Sequence, residues 1–274
     1  MRLLPLLAAG LLAVTASAGG AAAAPKAFDR LVVFGDSLSD TGNAGRFTNG
    51  PVWAERLAAD LGLELHPARD GGANFAVGGA RLDPQAGPFG LRAQADMYLA
   101  RPAPRAAGRT LHVVYGGGND VLAALGAPAA ERRVDEAAAV LAGIVADLAR
   151  RGATDVLVPN LPDVGITPQV RARGPGAVAE ARTLSRRFNA AVDRALQDAA
   201  PAGLRLHRLD VWTMAERVTA DPAAFGFTDV TTPCGGAGGC NGHLFWDHVH
   251  PTATAHARLG EAALAGLRTR IGGG

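Results

Sequence analysis

The chain has 274 residues, 48% of them apolar and 19% charged, a composition that fills a packed core and excludes a disordered chain. Its 36 glycines and 17 prolines follow no Gly-X-Y period, which excludes a collagen-like fibre. The 27 basic and 25 acidic residues leave a net charge of +2, scattered rather than massed, so no nucleic-acid partner is expected.

Met1-Arg2 gives a positive start, Leu3 to Val14 is apolar, and small residues continue to Ala24. Ala16-Ser17-Ala18 and Ala22-Ala23-Ala24 both fit a cleavage consensus. Residues 1–24 therefore read as a secretory signal peptide and 25–274 as one domain, the mature chain starting between about Gly19 and Lys26 and acting outside the cell or in a periplasm. The apolar run is shorter than the roughly 20 residues a membrane span needs, so no transmembrane segment is expected in the mature chain. Nothing in the pattern specifies an oligomer.

Leu31 to Phe34 is a short β-branched run ending at Gly35 and reads as a buried strand. A helical pattern follows over Val52 to Leu61. Leu111 to Tyr115 and Val156 to Val158 repeat the strand signature, and Leu204 to Leu209 gives another. Between them, Glu131 to Arg151 puts Val134, Leu141, Ile144, Val145 and Leu148 on one helical face. Val178 to Ala199 does the same with Leu184, Phe188, Val192 and Ala195, and Thr252 to Ile271 closes the chain as a helix. Strands alternating with helices of this length predict an α/β fold: a three-layer α/β/α sandwich around a central, mostly parallel five-stranded sheet. The only cysteines, Cys234 and Cys240, flank Gly-Gly-Ala-Gly-Gly. An even pair in an exported chain predicts a disulfide in preference to half a metal site.

In such sheets ligands sit beyond the carboxyl ends of the strands, and the polar motifs of this chain fall there. Of four serines, Ser17 lies in the leader and Ser185 in a helical pattern, leaving Ser37 and Ser39 as candidate nucleophiles. Ser37, in Gly35-Asp36-Ser37, stands at a strand-to-helix turn where free backbone N–H groups can face a developing oxyanion. Taken alone, the triplet is better explained as a helix cap. A serine hydroxyl needs a base, and His250 lies in Asp247-His248-Val249-His250-Pro251, with Asp247 one turn earlier to fix its tautomer. Asp and His-X-His can also bind zinc, but further ligands are not evident, and no metal or cofactor is expected. Asn119, after Gly117-Gly118, offers a side-chain amide to the same oxyanion, although Gly-Gly-Asn-Asp by itself is an ordinary turn. Gly72 to Ala80 offers a backbone N–H where glycine permits close approach. That segment fails the phosphate-loop pattern, since the only lysine is Lys26.

In combination these blocks resemble the GDSL-type lipases and esterases of the SGNH hydrolase superfamily. Val33 to Asn43 is similar to the nucleophile block of that family, Asn74 to Ala80 to its glycine block, Gly117 to Asp120 to its asparagine block, and Asp247 to Thr252 to its acid-and-base block. The resemblance implies a flavodoxin-like fold with Ser37 as nucleophile, His250 as base and Asp247 as its orienting acid. It also implies an oxyanion hole from the backbone of Ser37 and Gly79 and the amide of Asn119, with Gly78 as the alternative to Gly79. The implied activity is hydrolysis of small-molecule or lipid carboxylic esters through an acyl-enzyme, without a cofactor. An acyltransferase or phospholipase would use the same site, and a noncatalytic binding protein on this scaffold is a further alternative. Near-neutral charge and the lack of a long apolar lid point to short or medium acyl chains.

Overall fold

Continuous apolar runs form the central strands, as expected of strands buried on both faces. β1 (Arg30–Gly35), β2 (Thr110–Tyr115), β3 (Asp155–Pro159) and β4 (Arg205–Leu209) pair in parallel in that order. The computed structural model describes residues 27–83, 85–102, 109–199, 203–235 and 239–271. The leader expected over 1–24 lies outside the described residues.

The expected count of five strands is not met: Leu204 to Leu209 supplies β4, and the main sheet has four laddered strands among the described residues. Its fifth position is filled by residues 73–77, which run along the free edge of β1. Val33 N–H donates to the Ala73 carbonyl at 3.1 Å, Phe75 N–H to Val33 at 2.8 Å and Val77 N–H to Gly35 at 3.2 Å. Asn74, fully buried in this stretch, donates its side-chain amide to the Ser39 carbonyl and to Thr41 Oγ1. Flanking Gly72, Gly78 and Gly79 keep the stretch short. The spatial order, residues 73–77 then β1, β2, β3 and β4, is that of a flavodoxin-like sheet, and the winding reverses between β1 and β2. The crevice for a ligand therefore opens beyond the carboxyl ends of those two strands.

The helices are α1 (Trp53–Asp60), α2 (Leu91–Leu99), α3 (Gly118–Ala124), α4 (Ala130–Arg150), α5 (Pro168–Arg171), α6 (Pro175–Ala199), α7 (Val211–Ala220) and α8 (Ala253–Ile271). α4 and α6 pack on each other with α2 and α3 beside them, while α1 and α8 form the second helical layer. The expected faces are the buried ones: Val134, Leu141, Ile144, Val145 and Leu148 on α4, and Leu184, Phe188 and Val192 on α6. Ala195 is partly buried.

Two further features lie at opposite ends of the sheet. At the amino edge, Asp155 is fully buried and accepts hydrogen bonds from Arg109, Arg205, His207 and Thr154, tying the starts of β2, β3 and β4 together. Burial pushes its carboxyl upward, but the bonds from Arg205, Arg109, His207 and Thr154 outweigh that and hold it far below the usual aspartate range. At the carboxyl side, β5 (Asp229–Pro233) and β6 (His243–Phe245) form a small ribbon, and the Cys234–Cys240 disulfide closes the loop between them. Replacing both cysteines with serine is expected to lower the unfolding free energy by about 2 kcal/mol, the chain-entropy value for so short a loop, as measured by equilibrium urea denaturation.

Candidate active site

Ser37 sits two residues beyond β1. Gly35 permits that turn, since a Cβ there would lie 2.7 Å from the Tyr115 carbonyl. Buried Gln94 of α2 reaches the end of the strand, accepting from Gly35 N–H and donating to the Gly35 carbonyl, both at 2.9 Å. Ser39, the other candidate nucleophile, is fully buried and accepts from Trp53 Nε1 at 3.0 Å, which makes it part of the packing.

His250 Nε2 lies 2.9 Å from Ser37 Oγ, and His250 Nδ1 lies 2.7 Å from Asp247 Oδ2. The other oxygen of Asp247 accepts the backbone N–H groups of Val249 and His250 at 2.7 and 2.6 Å, so the carboxylate is locked within its own turn. Burial raises the Asp247 pKa, but the hydrogen bonds from the His250 backbone and ring and from Val249 win, holding it below the ordinary value. The carboxylate is therefore held ionised beside the imidazole. The loop before α1 fixes this turn from the far side. Thr48 Oγ1 donates to the Pro251 carbonyl at 2.9 Å, Asn49 Oδ1 accepts from Ala253 N–H at 2.7 Å, and the Phe47 ring packs 5.2 Å from the imidazole. The His248 carbonyl accepts from Gln169 N–H at 2.9 Å.

The glycine loop is held from both ends. Asp40 accepts from Gly42, Asn43, Ala44 and Gly78 N–H groups at 2.7 to 3.0 Å, and Asp120 accepts from Leu82 and Asp83 N–H groups at about 3.0 Å. Gly78 N–H is thereby consumed, and its Cα faces the Phe47 ring so closely that a Cβ would sit 2.3 Å from it. Gly79, at φ 77°, keeps an N–H with no acceptor among the described residues, as does Ser37. Asn119 Nδ2 donates one hydrogen to the Ala80 carbonyl at 3.0 Å, which leaves the other for a ligand and couples the amide to the loop. Gly117, at φ 112°, starts α3 where the Phe188 ring leaves no room for a Cβ. Asp40, Asp120, Gln94, Phe47 and Thr48 were not singled out from the sequence as parts of the site. Asp40 and Asp120 lie inside motif blocks that carried a signal, whereas Gln94, Phe47 and Thr48 act through contacts no local pattern encodes.

Ser37, Asn119 and His250 line one cleft of about 1100 Å³, solvent at its mouth included. Asp36 and Asp120 lie beside it as a pair of buried carboxyls. Burial pushes Asp36 up to about 7, with the Leu38 N–H bond opposing and the charge of Asp120 adding to the rise. Burial likewise pushes Asp120 up to about 6. As pH climbs from about 4 to about 7 an unfolded chain releases the Asp36 proton while the folded one retains it, so stability falls across that window. Asp36→Asn keeps the acceptor for Leu38 and removes the titration. The urea midpoint of the variant is expected to change less between pH 4.5 and 7.5 than that of the wild type.

The model of GDSL-like lipases and acylhydrolases matches residues 31–263. The chain belongs to that family. This GDSL-family chain is similar to Lipase 1 of Photorhabdus luminescens, 40% identical over 174 residues that make up 60% of the chain but 26% of that relative. It is also similar to the phosphatidylcholine-sterol acyltransferase of Aeromonas hydrophila, 27% identical across 93% of each protein. In fold it resembles an acetylxylan esterase from Geobacillus stearothermophilus at TM-score 0.53 and 16% identity, covering 87% of this chain and 93% of that one. The GDSL-family fold accounts for the α/β/α layering, the parallel sheet and the disposition of the motifs at its carboxyl edge. Among the described residues no helix is long and apolar enough to cross a membrane.

Proposed function

We propose that this GDSL-family chain is an exported serine hydrolase of carboxylic esters, working through an acyl-enzyme on Ser37. The observation that supports this reading best is the unbroken chain Ser37 Oγ, His250 Nε2, His250 Nδ1 and Asp247 Oδ2, with steps of 2.9 and 2.7 Å. His250 takes the Ser37 proton as Oγ attacks the ester carbonyl, and Asp247 stabilises the imidazolium that forms. The oxyanion is met by the free N–H groups of Ser37 and Gly79 and the spare amide hydrogen of Asn119. Collapse breaks the C–O bond, His250 returns the proton to the departing alcohol, and the acyl group remains on Ser37. Water then attacks with His250 again as base, releasing the acid and restoring the hydroxyl.

An alcohol entering in place of water receives the acyl group by the same steps. The similarity to an acyltransferase across 93% of each chain favours testing that second outcome with glycerol or a sterol as acceptor. The disulfide and the apolar stretch ahead of residue 25 support export with a leader through Ala24. The decisive experiment is labelling with a p-nitrophenyl phosphonate. One equivalent of nitrophenol and a mass adduct on the Ser37 peptide are expected. A labelled peptide that lacks Ser37, or no adduct in a folded protein, overturns the assignment.

A further inference from the structure

α7 carries Val211, Met214, Ala215 and Val218, the i, i+3, i+4, i+7 stripe by which a helix ordinarily packs on a core. Here the stripe lines the cleft that begins at Ser37. The helix is a fixed wall rather than a loose lid. Asp210 caps its start by accepting from Thr213 N–H, Arg182 bridges Asp163 to Glu216, and the guanidinium groups of Arg182 and Arg186 lie over the Trp212 ring. The cleft runs from Ser37 at the end of β1, past Tyr115 at the end of β2 and Leu161 beyond β3, to α7 after β4. Across three strand spacings that path is about 14 Å, and apolar side chains such as Leu122, Ile166, Leu244 and Leu259 line it.

A slot of this shape, with Ser37, Asn119 and His250 at one end and a remainder that is apolar apart from Asp163 and Thr167, suits a hydrocarbon tail attached to the carbonyl carbon. We infer that Ser37 accepts acyl chains of about eight to twelve carbons, lying across the sheet edge from the nucleophile to α7, with Met214, Ala215 and Val218 setting the length limit. The inference rests on the acyl-enzyme reading of Ser37. It places the acyl half of the ester in the cleft and the alcohol half toward the open mouth, so chain length is selected and the alcohol is not. An acetyl group would leave most of the slot to water.

The test compares p-nitrophenyl acetate, butyrate, octanoate, decanoate and dodecanoate, each below its solubility limit. Each methylene moved from water into the slot is worth about fourfold, so kcat/KM is expected to climb at least about 50-fold from butyrate to octanoate. Ala215→Phe and, independently, Met214→Trp fill the far end. Both are expected to keep acetate hydrolysis within about threefold of wild type and to lower that of decanoate by at least about tenfold. Free decanoate is expected to inhibit acetate hydrolysis by the wild type competitively at concentrations where free acetate does not, a measurement that needs no variant. A wild-type series that is flat or falls beyond acetate, variants that slow all esters by one factor, or an inert decanoate each overturn the inference. If acetate is cleaved as well as decanoate, the hydrolase reading survives and the acyl slot falls. If no ester is cleaved and Ser37 takes no phosphonate, the hydrolase reading itself has failed.

Discussion

Ser37→Ala is expected to lower kcat for a p-nitrophenyl ester by about a million-fold, with KM changed only a few-fold. In the proposed mechanism the hydroxyl is the atom that bonds to carbon, and among the described serines Ser39, fully buried and held by Trp53, is no substitute. His250→Ala is expected to cost as much, because without the base the hydroxyl keeps its proton. The double variant should lose no more than either single one, since the pair acts as a unit. Asp247→Asn should retain more activity than either, because it disturbs the tautomer and the charge rather than the bond-making atoms. Steady-state kinetics on the purified variants, with circular dichroism as the folding control, measures all four. A fall below about tenfold in Ser37→Ala would remove this residue from the chemistry.

The second large effect concerns stability and arises at the other end of the sheet. Asp155→Ala is expected to cost about 2–3 kcal/mol and to lower Tm by about 5–10 °C. The side chain is fully buried and collects Arg109, Arg205 and His207, so its removal leaves donors without an acceptor. The loss stays below that of a wholly buried triad because both guanidinium groups reach solvent and can rehydrate. The pH dependence follows from the lowered carboxyl. Above about pH 4 Asp155 is ionised in both states and the clamp contributes fully. As pH falls below about 4 an unfolded chain takes up the proton while the folded one resists, and the contribution is lost. Asp155→Asn should therefore flatten the acid limb of the stability curve. Calorimetry between pH 3 and 7 checks both statements.

The parts of this architecture that were legible in the sequence are those written in short segments. Alternation of apolar and polar residues is absent from β1, whose residues Leu31 to Phe34 form a continuous apolar run because both faces are covered. Asp247 and His250 share a single turn, so their partnership is a matter of spacing. α7 was not anticipated, although Val211, Met214, Ala215 and Val218 carry the ordinary amphipathic spacing within its ten residues. The fifth sheet position escaped as well: residues 73–77 satisfy β1 with three hydrogen bonds while Asn74 spends its side chain on the nucleophile loop. The choice between Gly78 and Gly79 depends on which N–H Asp40 takes, a contact 38 residues away in the chain. The cleft itself is built from side chains between Asp36 and Leu259, and no window of sequence contains it.

The hydrogen bond between Ser37 and His250 joins residues 213 positions apart. Synthesis proceeds from the amino terminus, so a growing polypeptide carries its proposed nucleophile long before its proposed base exists. Under the proposed mechanism a nascent chain that lacks residue 250 cannot yet attack an ester. On that proposal reactivity arises only when the two distant stretches have met, which ties it to the completion of folding.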